Sequence, residues 1–85
     1  MKMVKVTITG WEQGLNKIEL NHLIRRHAHF GLGEAKRMID QLLAGEIVSF
    51  RTSDVNEARL FCSSAKVFGA NCSYVQDEVT NVSLA

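Results

Sequence analysis

His27 and His29, two positions apart, and the cysteines Cys62 and Cys72 are the side chains of this sequence best suited to hold a metal or attack a substrate. Their spacing argues against both. Residues i and i+2 of a helix point about 200° apart, so the two imidazoles cannot meet on one ion, and no acid or cysteine is spaced to complete a set of ligands. Cys62 falls in an apolar stripe with Ala58, Phe61, Ala65 and Phe68, where a thiol serves as a small hydrophobe. Gly31-Leu32-Gly33 has the glycine spacing of a phosphate loop. It joins helix to helix instead of following a strand, so a tight turn is the simpler reading. No catalytic constellation is left, and a protein that is not an enzyme and carries no metal or cofactor is expected.

Charge patterning is more informative. Residues 16–37 hold Lys17, Arg25, Arg26, Lys36 and Arg37 against Glu19 and Glu34, five minus two, and the formal charge of the whole chain is only +1, so the remainder is net negative. All three histidines, His22, His27 and His29, also lie in this segment, which mild acidification would make more positive still. Projected at 100° per residue, Leu20, Leu23, Ile24 and His27 cluster on one side of the first helix, the side that packs on a sheet. Ile18 falls opposite them, ringed by Asn21, His22 and Arg25 with Lys17 and Arg26 at the margins. An apolar anchor among cations suits an apolar groove with acidic edges on a partner, although single exposed apolar residues are common on any surface. A phosphate backbone is the weaker alternative, because Trp11, Tyr74 and most phenylalanines lie off this face and leave it without stacking platforms. Leu60 and Val67, seven apart and off the core stripe of the third helix, form a second exposed strip that could support self-association.

The elements that must position these residues follow from period and punctuation. Val4, Val6 and Ile8 alternate with Lys5, Thr7 and Thr9, a half-buried strand that Gly10 ends. Asn16 with Glu19 three residues on, and Leu15 before the cap, open a helix over about 17–29. Gly31 stops it. Ala35, Met38, Ile39 and Leu42 then give a second helix over 33–44, closed by Gly45. A short β-rich run covers 47–51, and Ser53 as N-cap with Asp54 as a first-turn acid opens a third helix. Gly69 is placed for a left-handed C-cap, and 72–75 reads as a last strand containing Tyr74. The order β-α-α-β-α-β with so few strands predicts an α+β sandwich: a three-stranded, mainly antiparallel sheet with three helices on one face.

Eighty-five residues with 46% hydrophobic and 22% charged positions make one small domain. A chain of this size buries about 60% of its unfolded surface, which leaves little core to give up to a deep cleft. The domain is read as 1–75, with 76–85 a frayed tail. Two cysteines are too few for a disulfide scaffold, Met1-Lys2-Met3-Val4-Lys5 leads directly into the first strand, and apolar runs are far short of the roughly 20 residues that span a bilayer. A reducing cytoplasm is the expected compartment.

The run Gly31-Leu32-Gly33-Glu34-Ala35-Lys36-Arg37-Met38-Ile39-Asp40, with Asn16-Lys17-Ile18 before it, Thr52-Ser53-Asp54 and Glu57-Ala58 after it, and then Gly69-Ala70, resembles the C-terminal domain of the bacterial large-subunit ribosomal stalk protein. The likeness covers about residues 3–75 and includes the order of elements. It implies a domain that recruits translational GTPases, with contacts at Lys17, Ile18, Asn21, His22, Arg25 and Lys36. That set nearly coincides with the basic face around Ile18. This chain has His22 where the family has lysine, Asn21 where it has isoleucine, and a turn shorter by two residues. The family's dimerisation domain and hinge have no counterpart here, which implies a stand-alone protein with the same fold. The Clp-protease adaptor that delivers proteins with destabilising N-termini shares that fold and offers a second implication, peptide binding near Gly10-Trp11-Glu12-Gln13-Gly14. That segment has one acid and lacks the adaptor's characteristic elements, so a protein-interaction domain with an acidic partner, a translational GTPase or another ribosome-associated factor, is the leading expectation.

Overall fold

The computed structural model describes residues 2–78 and has six elements: β1 (Lys2–Trp11), α1 (Lys17–Ala28), α2 (Leu32–Leu43), β2 (Val48–Thr52), α3 (Val55–Val67) and β3 (Ala70–Glu78). The sheet order is β2-β1-β3, and both pairings are antiparallel, with Val6 opposite Phe50 on one side and Tyr74 on the other. This is the α+β architecture expected from the sequence. Among the described residues no helix is long and apolar enough to cross a membrane.

The alternation in β1 decides the layering. Val4, Val6 and Ile8 are buried, while Lys5 and Thr9 between and beyond them stay exposed. Buried Val48 and Phe50 continue the inner face on β2. Each helix lays one stripe on that face: Leu20, Leu23 and Ile24 from α1, Ala35, Met38, Ile39 and Leu42 from α2, and Ala58, Phe61 and Ala65 from α3. No polar or charged residue is buried among the described residues, so apolar burial holds the core at roughly 1.5–3 kcal/mol per large side chain. Phe61 sits at the centre, its ring edge-to-face with Phe50 at 4.9 Å and with His27 at 5.8 Å between centroids, the arrangement the ring quadrupoles favour.

Caps set the ends of the helices. Asn16 Oδ1 accepts from the Glu19 backbone N–H at 3.1 Å. The reciprocal arm of a capping box is replaced, because the Asn16 N–H donates to the Phe68 carbonyl at 2.8 Å. α1 ends on His29 in the left-handed region, φ 60°, and Gly31 is the N-cap of α2, its N–H donating to Glu34 Oε1 at 3.1 Å. The expected stop at Gly31 is therefore a start, and α2 begins at Leu32 because the Glu34 carboxylate closes its first turn. Asp54, not Ser53, caps α3, accepting from the Asn56 N–H at 2.9 Å. β3 runs through Glu78, so Gln76–Glu78, expected in a frayed tail, are strand. The ladder with Lys2–Val4 of β1 recruits them despite their weak β propensity. Residues 79–85 of that tail lie outside the described residues.

Gly69 joins α3 to β3 at φ +99°, and a Cβ there would stand 3.0 Å from Leu15 Cα. Gly69→Ala should cost about 2 kcal/mol from the backbone conformation and the contact together. Urea unfolding would show this as a lower midpoint at constant m-value; an unmoved midpoint would mean that the turn relaxes freely.

Candidate protein-interaction face

α1 has two long sides. Packing of Leu20, Leu23 and Ile24 against the sheet turns Ile18, two residues before Leu20 and so about 200° from it, toward solvent, where it is 72% exposed. Asn21, His22 and Arg25 follow on the same side, one to two turns further along. α2, packed against α1, contributes Leu32, Lys36, Ile39 and Leu43 at spacings of three or four, with Asp40 next to Ile39. Between the two helices lies an open groove of about 510 Å³ lined by these residues and by Lys17.

All six side chains singled out from the sequence, Lys17, Ile18, Asn21, His22, Arg25 and Lys36, line this one groove. Arg26, placed at the margin of the same face, points elsewhere: it borders a smaller hollow of about 100 Å³ with Glu19, Ser64 and Phe68. Leu32, Ile39, Asp40 and Leu43 were missed. In the sequence Leu32 belongs to a turn and Ile39 to the core stripe, yet Leu32, Lys36, Ile39 and Leu43 stand at i, i+4, i+7 and i+11, a legible second stripe.

The groove pairs an apolar lining with a cationic rim. Ile18 and Leu32, the latter 61% exposed, form its two lips, and Leu43 and the nearly covered Ile39 its floor. Lys17, Arg25 and Lys36 against Asp40 leave a local charge of three minus one, +2 with His22 neutral. Lys17 and Lys36 form no ion pair with any described residue. Arg25 Nη2 donates to His22 Nδ1 at 2.9 Å. Asn21 Oδ1 and Arg25 Nε are enclosed without a hydrogen-bond partner among the described residues.

The other candidates are placed differently. His27 Nδ1 meets Glu57 Oε1 at 2.6 Å, tying α1 to α3, while His29 is held in the cap of α1. Among the described residues no three His, Cys, Asp or Glu side chains gather in a metal-binding group. Trp11 and Glu12 border neither the groove nor the smaller hollow, and the Glu12 N–H is committed to the Gly69 carbonyl at 2.9 Å. Leu60 and Val67 are exposed on α3, at 55% and 80%. Cys62 Sγ and Cys72 Sγ stand 2.7 Å apart, a proximity between α3 and β3 that the sequence did not disclose. No protein-family model matches the chain, and no curated protein is significantly similar to it.

If the groove is a surface feature rather than an edge of the core, Ile18→Asp should change unfolding free energy by no more than about 0.5 kcal/mol. Leu20→Ala, one half-turn away in the core, should cost about 2–5 kcal/mol. Denaturant titration of the two variants distinguishes them, and comparable losses would place Ile18 in the folding core.

Proposed function

We propose that this chain is a non-enzymatic protein-interaction module that docks an acidic protein partner in the groove between α1 and α2. The observation that carries this reading is an apolar groove in which Ile18 and Leu32 are left in water and which the unpaired cations Lys17 and Lys36 also line. Covering one such side chain contributes roughly 1.5–3 kcal/mol. Each rim cation adds little affinity, about 0–1 kcal/mol, but speeds encounter with a negatively charged surface. Arg25, with one arm on His22, still offers donors on the same side to a carboxylate.

Six of the ten residues around the groove, Lys17, Ile18, Asn21, His22, Arg25 and Lys36, are those the resemblance to the ribosomal stalk domain implies for factor contact, which supports a cytoplasmic translational GTPase as the partner to test first. His22 and Asn21 remove a charge and an apolar side chain from that pattern, so this chain's preference is for a partner contacting Ile18 and Leu32 more than the middle of α1.

Purified bacterial elongation-factor GTPases titrated into the isotope-labelled protein should perturb backbone resonances of Ile18, Leu32 and Lys36 while leaving β3 unmoved. Ile18→Asp with Arg25→Glu should weaken binding by about tenfold or more, and added salt should slow association of the unsubstituted protein. A folded double variant that binds as tightly as the unsubstituted chain would sink the proposal.

A further inference from the structure

Cys62 lies on the side of α3 that faces β3, one residue after the central Phe61, and Cys72 lies on the helix-covered face of β3, opposite Ile8 of β1. Both are partly buried free thiols, and their sulfurs stand 2.7 Å apart. Unbonded sulfurs pack at about 3.6 Å, the sum of their radii, and a disulfide closes them to about 2.05 Å. Backbone elements anchored by the core hold this pair together: Phe61 and Ala65 on one side, Ala70 on the other, all buried.

We infer that Cys62 and Cys72 are a modification site, a dithiol that closes reversibly to an intramolecular disulfide by exchange with a low-molecular-weight disulfide oxidant. The thiolate of Cys62 attacks one sulfur of the oxidant, whose S–S bond breaks and releases one thiolate. Cys72, its proton lost to solvent, then displaces the second thiolate from the mixed disulfide at Cys62 Sγ. The protein loses two protons and two electrons, and the oxidant takes them up as two thiols. No other reactant is needed.

The roles divide by environment. Burial pushes both thiols up, and the hydrogen bond from Cys72 works against that rise at Cys62, while at Cys72 the neighbouring sulfur adds to it. Cys62 is therefore the better entry nucleophile and Cys72 the resolving group. Scarce thiolate makes closure slow at neutral pH. In a reducing compartment the bond is transient, a response to oxidative change rather than a permanent staple.

Closure would brace more than its own two elements. The span between the cysteines contains Phe68 and Gly69, whose carbonyls accept from the N–H groups of Asn16 and Glu12. The N-cap of α1 thus rests on the segment that the disulfide would enclose.

The test equilibrates the full chain in buffers of reduced and oxidised glutathione, followed by alkylation, peptide mapping and thermal unfolding. Oxidising buffers should yield a linked Cys62–Cys72 peptide, monomeric protein with no alkylatable thiol, and a Tm higher by roughly 10 °C. A thiol reductant should reverse all three. The oxidation rate should rise about tenfold per pH unit from neutrality into the alkaline range. Cys62→Ser should remain monomeric and show no Tm response to the redox buffer. Two alkylatable thiols in strongly oxidising buffer, or disulfides found only between molecules, would overturn the inference.

Discussion

Everything in this fold depends on covering one face of a three-stranded sheet with a single layer of helices. The inner face is supplied by β1, whose Val4, Val6 and Ile8 are almost wholly removed from water, and each helix can meet it along one stripe only. With the core on one side of each helix, the opposite sides are left to solvent. The groove follows from that geometry: α1 and α2 lie side by side on the sheet, and the valley between their outer sides is filled by neither the sheet nor a third layer. Ile39 and Leu43 at its base also pack on the core, but Ile18 and Leu32 do nothing for it, so their presence calls for an explanation outside folding.

Much of this was legible in the sequence because it depends on local period. Alternation in β1, the stripes of all three helices, the Asn16 cap and the turn at Gly69 are short-range signals, and the structure places each within a residue or two of where the pattern puts it. What was hidden is long-range. Gln76–Glu78 carry no strand signal of their own and are extended because Lys2–Val4 offers an unpaired ladder. Gly31 reads as a stop until Glu34 is seen to accept from its N–H. The approach of Cys62 to Cys72 and the His27–Glu57 contact join elements that no pattern on one helix could connect.

The candidate face was half legible for the same reason. Its α1 side, with Ile18 among cations, is visible on one helical projection. Its α2 side requires knowing that α2 lies next to α1, since Leu32, Ile39 and Leu43 become a floor and a lip only when a second helix stands across from them. Electrostatics follow the same division. Lys17 and Arg25 on one helix and Lys36 on the other give a rim rather than a patch, and the single acid, Asp40, leaves the balance positive. His22 is drawn into the face by Arg25, which fixes the imidazole by its own donor and so orders two long side chains at once.

The position of β1 in the middle of the sheet has a consequence for how the chain assembles. Val6 pairs with Phe50 and with Tyr74, so neither ladder can close before most of the polypeptide exists, and high sequence separation of paired residues slows folding. As the chain emerges, β1 precedes both of its partners and stays unpaired until two helices and β2 have followed it. The short connection between α1 and α2 lets that helical pair meet early and shelter the waiting strand, so the same two helices that shape the groove would also guard the nascent chain against edge-to-edge association.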